Sequence, residues 1–236
     1  MNSKKNLNFT GKLFLVPTPI GNMEDITFRA IRVLKEADFV LAEDTRQTIK
    51  IFQHYEIKTP LKSYHQYNEH FIKEKIIEEL AKGLKIALVS DAGTPGISDP
   101  GYLIVRECIS NNIEIECLPG ATALIPALVD SGFPCDRFVF EGFLPHKKGR
   151  KKRLLEIADN NYTCILYESP FRLIKTLEEL SIIIGDKKQV CVCRELSKVH
   201  ESVVRGSFDE VLKYFKSTTV KGEIVIVIGT LSKELS

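Results

Sequence analysis

Strand-length apolar runs alternate with helix-length amphipathic segments in the first half of the chain, and this alternation limits the fold more than any other feature. The apolar runs include KLFLVP, DFVLAED, KIALVS and IEIECLP, and the segments between them include ITFRAIRVLKEA, HFIKEKIIEELAKG and YLIVRECIS. Strands that alternate with helices form β-α-β crossovers, which make the strands of a sheet parallel. The first half is therefore predicted to be an α/β domain with a mostly parallel sheet.

The second half contains both kinds of segment in a different order. QVCVCREL and ESVVRG both resemble strands and follow one another without a helix, so they predict an antiparallel pair within a mixed sheet. Pro and Gly cluster between the two halves in PGATALIPALVDSGFPCD. Because such segments commonly form domain boundaries, we predict two α/β domains, residues 1–120 and 121–236.

Charge and cysteine content exclude several classes of protein. The chain has 33 Lys and Arg against 31 Asp and Glu, so its net charge of +2 does not by itself indicate a nucleic-acid binder, and any phosphate contact must be local. Its six cysteines show no CxxC spacing, which predicts buried free thiols in a reducing compartment. The runs LFLV and IVIVI are too short for a signal-peptide core or a membrane span, so a cytoplasmic location is predicted.

The loop SDAGTPGISDPG, residues 90–101, follows the apolar run KIALVS and is the first candidate for ligand binding. Ligands of parallel α/β sheets bind beyond the carboxyl ends of the strands, where loops lead into helices. Gly93 permits a close backbone approach, while Asp99 and Pro100 are predicted to cap and begin the next helix. No structural role is predicted for Asp91, which favours a functional one.

Small and polar residues follow other strands too, in VPTPIGN, LAEDTR, LPGATA and LYESP, and they predict a ligand site along one edge of the sheet. GxGxxG, GxxxxGK[ST] and GxSxG are absent, which argues against ordinary dinucleotide, ATP and serine-hydrolase sites. His65 and His70 would lie about 140° apart on a helix, so no metal site is predicted. All five histidines are predicted to be exposed or hydrogen-bonded.

Eight motifs occur in a fixed order between about Leu13 and Ile228: TPIGNMEDITFRA, AEDTR, SDAGTPGISDPG, PGATA, EGFLP, YESPFR, RELSKVHESVVRG and KGEIVIVI. With them the chain resembles the bacterial 16S rRNA cytidine-2′-O-methyltransferases, which belong to the tetrapyrrole-methylase-like class of S-adenosylmethionine enzymes. The resemblance implies two α/β domains with S-adenosylmethionine in the cleft between them, and a homodimer. It also implies methylation of a cytidine ribose in the decoding region of 16S rRNA, on the 30S subunit.

The same resemblance implies which residues contact the cofactor. They are Asp91, Gly93, Thr94, Ile97, Ser98, Thr122 and Ala123. A carboxylate and loop carbonyls suit the ammonium end of the cofactor, and small residues let the backbone approach the adenine. Many members of this family have a further helical segment after the last strand, whereas this sequence ends in GTLSKELS. If that segment grips the ribosomal subunit, affinity or substrate requirement is expected to differ here.

Methyl transfer from a positively charged sulfur to a hydroxyl removes charge, so positioning in a partly dry site supplies much of the acceleration. A weak general base would still help, because a protonated hydroxyl is a poor nucleophile. The candidates at strand ends are Glu43, Asp44, Glu168 and Glu195. Arg46 and Arg194 are candidates for holding RNA phosphates. For each of these side chains the alternative is a salt bridge or a helix cap.

The run HKKGRKKR, residues 146–153, has six Lys or Arg in eight positions. Runs of charged residues commonly lie exposed to solvent at the start of a helix. Positive charges this dense also favour binding to a polyanion, because counterions are released on binding. The candidate RNA-binding residues in this run are Lys147, Lys148, Arg150 and Lys151. Tyr64, Tyr67 and Tyr167 are candidates for stacking on a base, with core packing as the alternative.

Two other functions remain open at this point. A small-molecule methylase of tetrapyrroles would share the fold class, and a non-catalytic RNA-binding module would share the basic run. The basic run and the AEDTR and YESP loops favour RNA over a tetrapyrrole. Measured affinity for S-adenosylmethionine would separate an enzyme from a binding module.

Overall fold

A computed structural model describes residues 11–229. The chain divides into two compact units, Met1–Thr122 and Ala123–Ser236. Residues 230–236, where the expected C-terminal difference from the family falls, lie outside the described residues. Within residues 11–229, none of the helices combines the length and the apolar character that a membrane crossing requires.

The sheet of the first unit is entirely parallel, as predicted. Its strands are β1 (Lys12–Leu15), β2 (Phe39–Ala42), β3 (Leu61–Ser63), β4 (Lys85–Val89) and β5 (Glu114–Cys117), in the order β3-β2-β4-β1-β5. The connecting helices are α1 (Phe28–Glu36), α2 (Thr45–His54), α3 (Glu69–Ala81) and α4 (Tyr102–Ser110). Because parallel crossovers place helices on both faces, the central strands β2 and β4 are buried on both sides.

Two apolar clusters cover the two faces of this sheet. One joins Leu41 and Leu88 to side chains of α3 and α4, and the other joins Val40 and Ala87 to side chains of α1 and α2. Neighbouring residues of one strand point to opposite faces, which explains why β2 is apolar at every position. The carboxyl ends of all five strands therefore lie at one edge, and their loops form the candidate site.

The sheet of the second unit is mixed, as predicted. Its strands are β6 (Phe138–Phe143), β7 (Thr163–Glu168), β8 (Gln189–Arg194), β9 (Ser202–Gly206) and β10 (Ile224–Gly229), in the order β6-β7-β10-β8-β9. Only β6 and β7 are parallel, and the predicted antiparallel pair is β8 with β9. The helices are α5 (Leu124–Ser131), α6 (Arg150–Asp159), α7 (Leu173–Ile184) and α8 (Phe208–Lys216).

Three local predictions were wrong. The segment between the halves contains α5, which packs against β8 and β10, whereas the sequence suggested only a Pro- and Gly-rich junction. Asp99 does not cap α4, because the N-cap is Gly101 at φ 142°. The six cysteines are free thiols, but Cys117 and Cys135 are exposed rather than buried.

Candidate functional site

The loops after β1 and β4 are joined at the carboxyl edge of the first sheet. Thr18 donates its backbone N–H to the carbonyl of Gly93 at 2.9 Å and accepts the N–H of Gly93 at 3.0 Å. The Thr18 hydroxyl, buried at 1% exposure, donates to the carbonyl of Ser90 at 3.1 Å. Thr18 was not among the predicted site residues, although TPIGN was recognised as a motif. It fixes the start of the loop that contains Asp91 and Gly93.

The loops after β4 and β5 are joined in the same way. The Thr94 and Thr122 hydroxyl oxygens lie 2.5 Å apart, and the Thr94 hydroxyl also contacts the carbonyl of Ala121 at 3.2 Å. A Cβ added to Gly120 would lie 2.6 Å from Cβ of Pro17, so the close approach of the β5 loop to the β1 loop requires glycine. The structure thus brings Gly93, Thr94 and Thr122 together, and the resemblance implies that all three contact the cofactor.

The remaining predicted cofactor residues continue these loops. The Ile97 N–H donates to the carbonyl of Thr94 at 3.2 Å, and Ser98 has a positive φ of 65°. A Cβ added to Gly96 would meet no atom within 4 Å, so the turn is open on that side. Ala123 is the N-cap of α5. An open turn with small side chains fits the cofactor that the resemblance implies.

Reciprocal hydrogen bonds join the loops after β2 and β4. Asp91 Oδ1 accepts the backbone N–H of Asp44 at 2.9 Å, and the backbone N–H of Asp91 donates to the Glu43 carboxylate. Asp91 therefore has the structural role that the sequence did not predict, in addition to any contact with a ligand. Burial, and then the negative charge of Asp44, raise the pKa of Asp91.

Glu43 is half-buried at the end of β2. Burial is the largest cause that raises its pKa, followed by the negative charge of Asp91, while the Asp91 N–H and the charge of His65 act in the opposite direction. A carboxylate whose pKa is raised is a better proton acceptor at neutral pH. Glu43 thus combines the position and the electrostatics of a weak general base.

Asp44 caps helix α2. Its Oδ1 accepts the N–H of Arg46 at 2.9 Å, and its Oδ2 lies 2.6 Å from Nη2 of the same residue. The Arg46 hydrogen bonds hold the pKa of Asp44 at about 2, which makes it a poor proton acceptor. The position of the Asp44 side chain is therefore explained by helix capping, which was the structural alternative to a catalytic role. The Arg46 side chain is 86% exposed, so it can contact a phosphate while it remains paired.

Glu168 and Arg150 belong to one buried network in the second unit. Glu168 Oε2 accepts the hydroxyl of Thr176 at 2.7 Å, and Oε1 lies 3.3 Å from Nε of Arg172. Arg150 donates to the Thr176 hydroxyl at 2.8 Å and to Glu179 at 2.7 Å. Since Arg150 is only 6% exposed, its prediction as an RNA-binding residue is wrong in this geometry. The Glu168 side chain, at 1% exposure, is likewise engaged in structural contacts.

Glu195 and Arg194 hold the loops at the ends of β8 and β9. Glu195 Oε1 accepts the Lys198 ammonium at 2.9 Å and the Glu223 N–H at 2.8 Å. Burial alone would raise the pKa of Glu195, but these two donors hold it below its usual value. Arg194 donates to the Ser202 hydroxyl and to the carbonyls of Lys221 and His200. Both side chains are therefore engaged in structural contacts.

The rest of the basic run is exposed around the N-terminus of α6. Lys147, Lys148 and Lys151 are exposed, and among the described residues none of the three forms an ion pair; we call them the basic surface. Arg153, by contrast, pairs with Glu141 and Glu156. The first turn of α6 carries no acidic residue. This surface therefore has the charge that phosphate binding requires.

Only one of the three predicted stacking tyrosines is exposed. Tyr64 is fully buried, and the Tyr167 ring packs against Phe140 and Phe143 while its hydroxyl accepts the Leu124 N–H. Tyr64 and Tyr167 therefore fit the alternative interpretation, in which the ring packs in the protein core. Tyr67 is 79% exposed beyond the end of β3.

His65, directly after Tyr64, is a residue that the sequence reading did not select. Its Nδ1 is buried and has no hydrogen-bond partner among the described residues, so the prediction that every histidine is exposed or hydrogen-bonded is wrong here. The sequence did contain an indication of this residue: His65 ends the segment LKSYH, so it follows a strand, as the other candidate residues do. Within residues 11–229, no group of His, Cys, Asp and Glu has the arrangement of a metal site.

Comparison with known sequences identifies close relatives. The family described as Tetrapyrrole (Corrin/Porphyrin) Methylases matches residues 12–212. The Ribosomal RNA small subunit methyltransferase I of Halalkalibacterium halodurans is 48% identical over 92% of this chain and 75% of that protein. The protein of the same name from Thermotoga maritima is 45% identical over 93% of this chain and 98% of that protein.

Solved structures of tetrapyrrole methylases share the fold. Cobalt precorrin-4 methyltransferase matches with a TM-score of 0.69 and 16% identity, over 97% of this chain and 98% of that one. Uroporphyrin-III C-methyltransferase from Thermus thermophilus, crystallised with S-adenosylhomocysteine, matches with a TM-score of 0.66 and 19% identity, over 93% and 97% of the two chains. The family predicted from the motifs is confirmed: the chain is a methyltransferase and belongs to the ribosomal RNA small subunit methyltransferase I family of tetrapyrrole methylases.

Proposed function

We propose that this protein transfers the methyl group of S-adenosylmethionine to the ribose 2′-hydroxyl of a cytidine in the decoding region of 16S rRNA, with the 30S subunit as acceptor. The observation that carries the proposal is the carboxyl edge of the first sheet, where an open, small-residue turn lies beside the half-buried carboxylate of Glu43. The names of the relatives support small-subunit rRNA as the substrate.

The cofactor would be held by the loops after β4 and β5. Asp91 and the loop carbonyls would bind its positively charged end, and Gly93, Thr94 and Thr122 would let the backbone approach its adenine. Ile97, Ser98 and Ala123 complete the proposed set. When bound, S-adenosylmethionine supplies an electrophilic methyl group on a positively charged sulfur. The S-adenosylhomocysteine in a solved structure of the same fold supports this cofactor.

Glu43 would accept the proton of the ribose hydroxyl. The N–H of Asp91 fixes the carboxylate, and burial favours its taking up a proton. Asp44, Glu168 and Glu195 are each engaged by cationic or backbone donors, so in this proposal they maintain structure. The chain's contribution is then to orient the two reactants and to receive one proton.

The RNA would be held by exposed cations and one aromatic ring. Arg46 lies three residues after Glu43 in the sequence and is suited to a phosphate near the reacting ribose. The basic surface supplies a second group of phosphate contacts, and exposed Tyr67 is suited to stacking on an unpaired base. The predicted homodimer and the cytoplasmic location stay predictions.

The decisive experiment is transfer of tritiated methyl from S-adenosylmethionine to 30S subunits from a strain that lacks the gene, followed by nucleoside mapping. Label on the ribose of one cytidine supports the proposal. A matched Glu43→Gln variant should bind the cofactor but transfer methyl at least about 100-fold more slowly. Label on a porphyrinoid offered in parallel would favour a tetrapyrrole methylase, whose fold this chain shares, and would overturn the proposal.

A further inference from the structure

Phe171 is 96% exposed, more than any other Phe or Tyr in the part of the chain that the structure describes. It lies in the motif YESPFR, in the turn between β7 and α7, and was not among the residues selected from the sequence. An exposed ring adds little to the stability of the fold, because folding does not remove it from water. A single exposed apolar side chain is common, so its support and its surroundings decide what it does.

The turn that carries Phe171 is fixed by hydrogen bonds. The N–H of Ser169 donates to Glu168 Oε1 at 2.8 Å. The Ser169 hydroxyl accepts the N–H of Phe171 at 3.3 Å, and the Ser169 carbonyl accepts the N–H of Arg172 at 2.9 Å. Pro170 fixes one further backbone angle. Because the ring extends from a fixed backbone, little conformational entropy is lost when a ligand contacts it.

Arg172 joins this turn to the loop after β6. Strands β6 and β7 are parallel neighbours with Phe143 opposite Tyr167, so both loops leave the same edge of the sheet. Arg172 Nη2 donates to the carbonyl of Leu144 at 2.7 Å, and its Nη1 lies 3.5 Å from Nε2 of His146. The two loops therefore form one surface.

The buried Arg150 joins the same two loops a second time. It donates to the carbonyl of Pro145 at 3.3 Å and to the Thr176 hydroxyl, which in turn donates to Glu168. Since these polar groups are engaged with one another, the cations that remain for a ligand at this edge are those of the basic surface, which begins at Lys147.

The ring and the basic surface lie close together. Phe171 and Lys147 each lie one residue from the contact between Arg172 and His146. Single-stranded RNA needs both features, because its bases stack on aromatic rings and its phosphates pair with cations. A duplex would not use the ring, since its bases are already stacked on one another.

The charges around Phe171 favour RNA over another protein surface. A second copy of this chain placed on Phe171 by two-fold symmetry would bring two basic surfaces together, and like charges oppose that contact. Phe28 is 94% exposed, but its neighbours Arg29 and Arg32 are both engaged in ion pairs. Exposure alone therefore does not distinguish Phe171, whereas exposure beside unpaired lysines does.

We propose that the Phe171 ring stacks on an unpaired base of the RNA substrate while the basic surface holds the flanking phosphates. This inference rests on the proposed function, because it takes RNA as the substrate. It adds a base contact to a unit for which only phosphate contacts were proposed. Every base has a flat face, so Phe171 contributes affinity and does not select the cytidine.

Fluorescence tests the stacking directly. The chain contains no tryptophan, so Phe171→Trp introduces a single indole at the proposed contact. The probes are oligocytidylate and inorganic polyphosphate, a polyanion without bases. Stacking on a base quenches indole fluorescence, so oligocytidylate should quench it and polyphosphate should not. Tyr162→Trp is the matched control, because Tyr162 is exposed at the opposite end of β7 and also lies near a cation, Arg137.

Affinity separates the ring from the charges. Phe171→Ala should bind oligocytidylate about tenfold more weakly with an unchanged salt slope, because the phosphate contacts remain. Its affinity for polyphosphate and its Tm should match those of the wild type, since the side chain is exposed. In methyl transfer to 30S subunits, Phe171→Ala should raise KM for the subunit about tenfold without changing kcat or KM for S-adenosylmethionine, and Phe171→Trp should retain the wild-type KM.

The outcomes separate this inference from the proposed function. If the wild type transfers no methyl to 30S subunits, the proposed function is wrong, whereas the quench by oligocytidylate still decides whether Phe171 stacks on RNA. If Phe171→Trp is not quenched, or if Phe171→Ala keeps its affinity for oligocytidylate within about twofold, the inference is wrong. Loss of a homodimer in Phe171→Ala, measured by light scattering, with unchanged RNA affinity would assign the ring to a contact between copies and overturn it.

Discussion

The carboxylate of Asp91 accepts the backbone N–H of Asp44 and also lies on the loop proposed for the cofactor. Asp91→Asn can keep the hydrogen bond through its side-chain oxygen while it removes the negative charge. We expect this variant to bind S-adenosylmethionine about tenfold more weakly, a loss of about 1.4 kcal/mol, with little change in Tm. Calorimetry and thermal denaturation measure the two effects.

Asp91→Ala should lose both functions, so its Tm should fall along with its cofactor affinity, because the N–H of Asp44 loses its acceptor. Equal affinity of Asp91→Asn and the wild type would show that the charge of Asp91 does not contact the cofactor.

Arg150 and Lys151 are adjacent in the sequence but have opposite environments. Arg150 is buried against Glu179 and Thr176, whereas Lys151 is exposed. Removing one partner of a buried ion pair leaves the other charge uncompensated, so Arg150→Ala should lower the free energy of unfolding by roughly 3 kcal/mol. Lys151→Ala, the matched control, should change it by less than about 0.5 kcal/mol. Urea denaturation measures both, and similar values for the two variants would contradict the buried network.

These neighbours also show why the sequence predicted the site only in part. Its strand ends were correctly located, because buried strands must be apolar and the loops between them need not be. The environment of each charged side chain, however, depends on distant partners: Arg150 is buried because Thr176 and Glu179 meet it from α7. Nothing near Arg150 in the sequence distinguishes it from Lys151.

Helix α8 begins with a capping box that is complete in the structure. The Ser207 hydroxyl accepts the Glu210 N–H, and the Glu210 carboxylate accepts the Ser207 N–H at 2.9 Å. Ser207→Ala should therefore lower the free energy of unfolding by about 1 kcal/mol, measured by urea denaturation at neutral pH. Ser217→Ala, just beyond the other end of this helix, is the control and should have a smaller effect.

The same capping box should make the helix sensitive to acid. The Ser207 N–H and hydroxyl hold the pKa of Glu210 below its ordinary value of 4.5. A lowered folded-state pKa means that the stabilisation is complete above about pH 4.5 and is lost as pH falls through the folded-state pKa. Glu210→Gln should remove this part of the acid sensitivity, and an unchanged acid transition would contradict it.

Helices were predicted where periodicity was strong and missed where local chemistry suggested a loop. Helix α5 contains Pro126 and lies in the Pro- and Gly-rich segment that was predicted as a domain boundary. Proline is tolerated there because it lies in the first turn, where backbone N–H groups have no partner within the helix. Helix α4 starts later than predicted because Gly101 adopts φ 142°, and an added Cβ would lie 3.2 Å from Gly96 N and from Leu88 Cδ2. Such contacts cannot be read from local sequence.

Each of the two units has its own core and its own type of surface. The first has apolar clusters on both faces of its parallel sheet, and its carboxyl edge carries Glu43, Asp91 and His65. The second has an apolar cluster on its mixed sheet and carries the basic surface. A net charge of only +2 therefore conceals a local concentration of cations, and it is the local charge that determines phosphate binding.

Salt dependence of RNA binding tests whether this local charge is the contact. Replacing Lys147, Lys148 and Lys151 by Ala should lower the slope of log affinity against log salt by roughly 2 to 3, because each phosphate contact contributes about 0.7 to 0.9. The control replaces the exposed lysines Lys35, Lys58 and Lys187, which removes the same net charge. Filter binding of 16S rRNA across a salt series measures both slopes. If both fall equally, net charge rather than the basic surface governs binding; if only the first falls, these three lysines hold the phosphates.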